Sequence, residues 1–234
     1  MPVNHQSRKT RILASAERCF AASGFASASL RQIVAGARVN LATVYYYFGS
    51  KEGLVIEVIK RRFDPLRAQN LSLLEAAIRE SAPNSPPVEK ILHAMLRPLL
   101  ELAQSGSQES LIVLGLVGRM WTEPEETIQQ LLREEFSEVR ARFFEAFQFA
   151  CPELGKPDLH WRIETVRASV CAILCNMRRI KEVTGGVCDP ADASSVMGHL
   201  IPFFATGFRA PAMETKGRNQ PARSQAKPPL SLHP

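Results

Sequence analysis

The chain has 234 residues, of which 45% are hydrophobic and 22% charged, so it can bury a sizeable core as one large domain or as a small head on a larger body. No apolar run of about 18 residues is present, which excludes a transmembrane helix, and the polar start lacks the apolar centre of a signal peptide, so a cytoplasmic protein is expected. The net charge of +6 is uneven: residues 1–62 carry ten Lys/Arg against three Glu, residues 63–209 fifteen against nineteen acidic groups, and residues 210–234 four against one.

Nearly every segment reads as helix, with Pro/Gly/Ser clusters between helical periods and no strand alternation. A first helix runs from about Arg8 to Ser23, with Ile12, Ala16, Cys19 and Phe20 inward, and Gly24 stops it. Ser27 and Ser29 are cap candidates for a short second helix, Leu30 to Ala37. A tight turn at Arg38-Val39 leads to Asn40, which can cap the third helix, and Gly49 ends that helix. Ser50 caps a long fourth helix, about Lys51 to Glu80, expected to kink at Pro65. A fifth spans Val88 to Ala103 with Pro98 inside. The sixth, Glu109 to Trp121, is apolar on all sides and is expected to be central. Thr122-Glu123-Pro124-Glu125 starts a seventh helix, which runs to Ala150 with Leu132, Phe136, Val139, Phe143 and Phe147 as its inner stripe. An eighth covers about Asp158 to Val183 and a ninth Asp189 to Phe208. Residues 210–234, with five prolines and few apolar groups, read as a disordered tail. The expected fold is all-α with about nine helices, divided into a head (1–50), a body (51–209) and the tail.

Five cysteines, an odd number, argue against a disulfide framework. Cys171 and Cys175, one helical turn apart in an apolar stretch, read as buried small hydrophobes rather than as a metal site. No metal or cofactor is expected. His93, His160 and His199 lie on separate helices with no nucleophile pattern or phosphate loop near them, so an enzyme is not expected either.

The segment from Asn40 to Leu54 says most about function. It packs three tyrosines, a threonine and an asparagine into about two helical turns. Tyrosine offers a flat apolar ring and a hydroxyl, which suits both sugar–phosphate backbone and base edges. With the preceding helix it completes a helix-turn-helix, on the most basic part of the chain. A recognition helix needs short or flat side chains at its N-terminal end, and Asn40, Leu41, Ala42 and Thr43 supply them. Leu41 or Ala42 could touch a thymine methyl, and Thr43 could reach a base or a phosphate. Tyr45 and Tyr46 project one face round, towards phosphates. Tyr47 either does the same or packs against the first helix, and Phe48 belongs in the core. Lys51 opens the fourth helix, where its charge and the free N–H groups favour a phosphate.

Residues 8–55 resemble the DNA-binding domain of the TetR family of one-component transcriptional repressors. The resemblance rests on Arg11-Ile12-Leu13, Phe20, Gly24-Phe25, Ser29-Leu30-Arg31-Gln32-Ile33, Val39-Asn40, Thr43 to Phe48 and Ser50 to Leu54. It implies a three-helix head carried by the fourth helix, an effector-binding body and a homodimer. In the family the position matching Arg31 can reach a guanine, where its fork suits O6 and N7; the alternative for Arg31 is a phosphate contact or a solvated side chain, and Ser29 is a further candidate at this surface. The chain departs from the pattern at Arg38, where glycine is usual and a positive φ would cost of order 1 kcal/mol, and at Ala28, where threonine is common. The body is similar to a TetR subgroup that includes fatty-acid-responsive regulators, through Arg62-Phe63-Asp64-Pro65-Leu66, Leu96-Arg97-Pro98-Leu99-Leu100, Arg140-Ala141-Arg142-Phe143 and Trp161-Arg162.

In the body, Gly115 and Gly118 interrupt the apolar sixth helix at about 1 kcal/mol each. They permit either a close helix crossing or room for a ligand. An effector cavity is expected among the fifth to eighth helices, walled by Leu96, Leu99, Gly115, Gly118, Met120, Trp121, Phe143, Phe144, Phe147 and Met177. Arg119 would either bind an effector's acid group or pair with an internal glutamate. The last two helices carry apolar stripes, Val166, Val170 and Ile173 on one and Val196, Leu200, Phe203, Phe204 and Phe208 on the other, expected to form a four-helix dimer interface, the alternative for both being the core of a single chain. The expected function is a homodimeric, ligand-responsive repressor of a palindromic DNA operator. The competing reading is a small-molecule binding protein without specific DNA recognition.

Overall fold

Three short polar residues set the register of the N-terminal helices, and the computed structural model, which describes residues 5–212, shows each at work. Helix α1 (His5–Ser23) is followed by α2 (Leu30–Ala37), capped by Ser29, whose hydroxyl accepts from the Arg31 N–H. Asn40 caps α3 (Leu41–Phe48) by accepting from the Thr43 N–H at 2.9 Å. Ser50 caps the 31-residue α4 (Lys51–Ser81) by accepting from the Gly53 N–H. Each bond satisfies an otherwise orphaned donor of the first helical turn, worth about 1 kcal/mol. The body continues with α5 (Val88–Gln104), α6 (Gln108–Thr122), α7 (Glu126–Glu135), α8 (Ser137–Ala150), α9 (Lys156–Cys175), α10 (Met177–Val183) and α11 (Ala193–Arg209). No strand occurs among the described residues. The expected tail lies, from residue 213 on, outside them.

Eleven helices occur among the described residues, consistent with the expectation of about nine; the two more arise where two long apolar patterns are interrupted. The predicted seventh helix breaks at Phe136, which leaves helical geometry at φ −101°, ψ 8° and sets its ring edge-on to Phe63, 5.7 Å between centroids. The predicted eighth breaks at Asn176, whose side-chain amide donates to the Ala172 carbonyl at 2.8 Å in place of a continuing backbone bond. Helix α6 is not buried all round: Val113, Leu116 and Val117 are in the core, but Leu111 is 58% exposed. One side of α6 packs on α1, and another faces α9.

Proline inside a helix leaves the carbonyl four residues back without its N–H. At Pro98 that carbonyl is Ala94, and Asn70 of α4 supplies the missing donor at 2.7 Å, with a second bond to Met95 O at 3.0 Å. The polar residue that repairs α5 thus locks it to α4.

The buried side chains form two clusters. The body cluster joins α5, α8, α9 and α11, with Phe147 stacked on Phe208 at 4.5 Å. The other cluster begins in the head with Ile12, Phe20, Phe25, Ile33 and Val44 and continues without a break into Val58, Phe63, Leu116, Ile128 and Leu132. The head is therefore packed onto α6 and α7 as well as carried by α4. Arg62 reinforces this junction: its guanidinium contacts Glu17 of α1 at 2.5 Å and Glu109 of α6 at 3.2 Å. Burial opposes the Arg62 charge, yet the two carboxylates raise its pKa above the ordinary value.

Candidate DNA-reading head and effector cavity

The approach of α2 to α1 is set by small groups. A Cβ at Gly36 would lie 2.5 Å from the Ser15 hydroxyl, which itself donates to Ile33 O at 2.9 Å. Arg38 then takes the left-handed conformation (φ 53°, ψ 51°) that ends α2. Its cost is offset by Arg11, whose guanidinium donates to the carbonyls of Ala37 and Arg38, placing a cation at the helix C-terminus. The turn that usually needs glycine is thus held by a partner in α1.

Helix α3 turns Val44 and Phe48 inward and leaves Tyr45 49% and Tyr46 75% exposed. Leu41, Ala42 and Asn40 are exposed on the same helix end, and Arg31 is exposed at the start of α2. Tyr47 is half-buried against the head core, with its ring edge-on to Tyr46 at 5.1 Å. The Thr43 hydroxyl donates to Asn40 Oδ1 at 2.6 Å, so these two side chains brace each other. Lys51 does not stand free at the start of α4: its ammonium donates to Ala26 O and ties α4 to the α1–α2 corner. Ser29 is half-buried and occupied in capping.

The same corner is held from the body by α6. Arg119 donates to the carbonyls of Ala21 and Ala22 at the end of α1. Glu123, 7% exposed, accepts from the N–H groups of Phe25 and Ala26 at 3.0 and 3.3 Å. A cation thus meets carbonyls from the last turn of α6 and an anion meets amides from the residue that caps it, Glu123.

Between α4, α5, α8 and α9 lies a cavity of about 600 Å³, within the size range of small-molecule sites. Its walls are largely apolar: Met95, Phe136, Val139, Phe143, Phe144 and Ile163. Asn70, Arg140, His160, Glu164 and Arg167 bring the polar groups, with the His160 ring stacked on Phe144 at 4.5 Å. Asn70, Met95, Phe136, Val139 and Arg167 also line a second lobe of about 180 Å³, which runs inward to Leu96, Leu99, Val117, Met120, Trp121 and Cys171. Arg140 is pushed below its ordinary pKa by burial and then by the neighbouring Arg167 guanidinium. The facing carboxylate is Glu164, which lies 3.7 Å from Arg167. The polar end of the cavity is therefore cationic.

Two family models match the chain. One, described as bacterial regulatory proteins of the tetR family, spans residues 12–58; the other, a tetracyclin repressor-like C-terminal domain, spans residues 93–207. Together they cover more than two-thirds of the chain. The chain belongs to the TetR family of transcriptional regulators. Its head is a helix-turn-helix DNA-binding domain of that family. Solved structures share the TetR fold. A Clostridium perfringens protein described as a fatty acid metabolism regulator aligns at TM-score 0.58 and 17% identity, over 84% of this chain and 97% of that one. FadR from Bacillus subtilis, solved with stearoyl-CoA, aligns at 0.52 and 12%, over 85% and 98%. A transcriptional regulator from Pseudomonas aeruginosa PAO1 aligns at 0.51 and 19%, over 89% and 95%. None of the curated proteins matches the chain.

Within this TetR body several expected site residues stand elsewhere. Leu96, Leu99, Met120, Trp121, Phe143 and Phe144 line the two lobes. Gly115 does not: a Cβ there would meet Ala21 Cβ at 3.0 Å, so this glycine serves the crossing of α6 over α1. Gly118 lies against Cys175 Sγ, 3.2 Å from the Cβ it lacks. Arg119 turns to the head, where it donates to the carbonyls of Ala21 and Ala22, and it makes no ion pair among the described residues. Phe147 is fully buried on Phe208, and Met177 packs on the body core outside both lobes. Sequence reasoning missed Asn70, Arg140, His160 and Arg167, polar residues that no periodicity marks, and it missed the corner role of Glu123.

The expected dimer stripes also change. Val166, Val170, Phe204 and Phe208 are each under 7% exposed within the single chain, so their apolar area is already spent on the body core. Ile173, Val196 and Leu200 are half-buried. The most exposed large apolar side chains on α9 and α11 are Trp161, at 77%, and Phe203, at 72%. Alongside them run the exposed small residues Ala168, Ala172, Gly198 and Gly207. Behind this face Arg162 donates to the carbonyls of Gly207, Phe208, Ala210 and Pro211 at 2.8–2.9 Å, fixing the end of α11 to α9.

Proposed function

We propose that this regulator is a homodimeric repressor that reads a palindromic operator through α2 and α3 and leaves it when an amphiphilic effector fills the cavity of the body. The observation that carries the reading is the joining of cavity and head through one helix. Val117, Met120 and Trp121 line the inner lobe, while Arg119 of the same helix and Glu123, its C-cap, hold the end of α1 and the loop after it.

In the DNA-bound state Leu41, Ala42 and the Asn40–Thr43 pair enter the major groove, Arg31 reads a guanine edge, and Tyr45 and Tyr46 reach the phosphates that flank it. Tyr47 and Ser29 support this surface from within the head. Lys51 stiffens the corner and leaves the α4 N-terminus beside the DNA backbone. Two heads must stand about 34–36 Å apart for half-sites one turn apart, so a contact between copies is required. The α9–α11 face with Trp161, Phe203 and its small residues suits such a four-helix contact.

The effector suited to the cavity has an apolar chain or ring for the Met95, Phe143 and Leu99 walls and an anionic group for Arg140 and Arg167. FadR, a protein of the same fold, was solved with stearoyl-CoA, an amphiphile of this general kind. An effector that displaces α6 shifts both heads without touching the reading surface, and coupling of about 1–3 kcal/mol is typical. The test is a gel shift on the DNA upstream of the protein's own gene, titrated with dodecanoate, dodecanoyl-CoA, dodecanol and an aromatic acid. Release by the acidic amphiphiles but not by dodecanol is expected. No shift at all would return the protein to the class of binding proteins without DNA recognition.

A further inference from the structure

Five cysteines occur in the described part of the chain, and two of them stand together in a way that the cavity and the head leave unexplained. Cys171 and Cys175 lie one turn apart at the end of α9 with their sulfurs 3.8 Å apart. Cys171 is buried and lines the inner lobe of the cavity, whereas Cys175 is exposed. The expectation that both are buried packing groups therefore fails for Cys175.

A disulfide does not fit this pair. Residues four apart on a helix keep their Cβ atoms about 5–6 Å apart, and a disulfide needs about 3.5–4.5 Å. Nor does a structural zinc site fit, since zinc takes four protein ligands and no group of three or more His, Cys, Asp or Glu stands together among the described residues. What the geometry accepts is a single soft atom that bridges two sulfurs and brings its own remaining ligand. Burial, and then the neighbouring Cys175, push the Cys171 thiol up to about 12, so it meets a ligand as a neutral thiol. The bridging chemistry must then remove the thiol protons itself.

We propose that Cys171 and Cys175 form a chelating dithiol for trivalent arsenicals, and that its occupation drives α6 away from the head and releases DNA. The release rests on the repressor reading given above. Trivalent arsenic carrying one organic group and two hydroxyls condenses with both thiols. Two As–S bonds form, two As–O bonds break, and each thiol proton leaves with a hydroxyl as water. Arsenic stays trivalent and no oxidant or reductant takes part. The organic group enters the inner lobe of about 180 Å³, beside Val117, Met120 and Trp121.

The position of the pair links it to the head. The Cys175 sulfur rests on the bare backbone of α6 at Gly118, where a Cβ would come within 3.2 Å. An atom added between the sulfurs, with a ring in the adjoining lobe, displaces α6 at this point. The next residue is Arg119, which holds the end of α1, and Glu123 follows one turn later on Phe25 and Ala26.

The test uses the full chain and phenylarsine oxide in excess glutathione, which strips arsenic from single thiols but not from a chelate. Intact mass should show one added phenylarsenic unit and two titratable thiols fewer, and Cys175→Ser or Cys171→Ala should abolish both. Affinity for the upstream DNA should fall on the order of tenfold, within the usual range for coupled sites. The amide hydrogens of Phe25 and Ala26 should exchange faster. The proposal is overturned if the arsenic maps to Cys19 or Cys188, or if the two cysteine variants release DNA as readily as the unaltered chain. It is also overturned if the adduct forms at the pair while DNA affinity and amide exchange stay unchanged. Failure of the untreated protein to prefer its upstream DNA would instead count against the repressor reading, and the adduct and the amide exchange would still decide the dithiol.

Discussion

Replacing Glu123 with alanine should loosen the hold of α6 on the corner between α1 and α2 without touching either core. The Glu123 carboxylate is 7% exposed and accepts from three N–H groups, Glu125 at 3.3 Å beside it and, across to the head, Phe25 at 3.0 Å and Ala26 at 3.3 Å, the two bonds that matter to the junction. Hydrogen bonds to a charged group contribute about 1.5–3 kcal/mol each, and the low end applies to bonds of this length, so the loss is about 3 kcal/mol. In a chain of this size each kcal/mol moves Tm by about 2–4 °C, which gives a fall of about 6–12 °C. Glu123→Gln keeps one acceptor oxygen and should fall between. Thermal unfolding followed by circular dichroism gives the first number, and hydrogen exchange at residues 24–28 localises it. If Glu123→Ala melts within about a degree of the unaltered protein and those amides stay protected, the α6 contact does not hold the head, and the proposed route from cavity to DNA is wrong.

Other outcomes follow from the same packing. Gly118→Leu should cost about 1–3 kcal/mol of stability through overpacking against Cys175 rather than fill the cavity, as denaturant unfolding will show. Phe203→Glu and Trp161→Glu should give folded monomers by light scattering, whereas Phe204→Glu, at a position 6% exposed, should unfold the chain. Val139→Trp, at the wall shared by both lobes, should leave DNA binding intact and weaken dodecanoate binding at least tenfold by calorimetry. A loss of DNA binding in that variant would show that the cavity residues support the head directly.

The head was the most legible part of the chain because local chemistry decides it. Ser29, Asn40 and Ser50 cap the helices expected of them, since a short side chain with one acceptor at a helix start has a single good use. The body was legible only in outline. The apolar stripe through Leu132, Phe136 and Val139 is continuous in sequence, yet the chain breaks at Phe136, where its ring meets Phe63 and Arg67 of α4. That contact is tertiary and leaves no local signal. For the same reason the stripes on the last helices were assigned to a dimer although Phe204 and Phe208 complete the core of one chain. The cavity's polar groups were the least visible, because an arginine on a cavity wall and one on a solvated face look alike in a sequence. Pro98 was a partial clue: a helix that loses an N–H needs a donor from elsewhere, and Asn70 provides it.

The central claim is that α2 and α3 read a specific sequence, and fluorescence anisotropy with the duplex upstream of the protein's own gene tests it most directly. Affinity there should exceed that for a scrambled duplex by at least about a thousandfold and fall steeply with salt, as expected for a head with ten basic residues against three acidic ones over residues 1–62. Arg31→Ala should remove about 1–3 kcal/mol of preference at one position of each half-site while its binding to the scrambled duplex changes far less. Equal affinity for the two duplexes across the salt series would contradict the account.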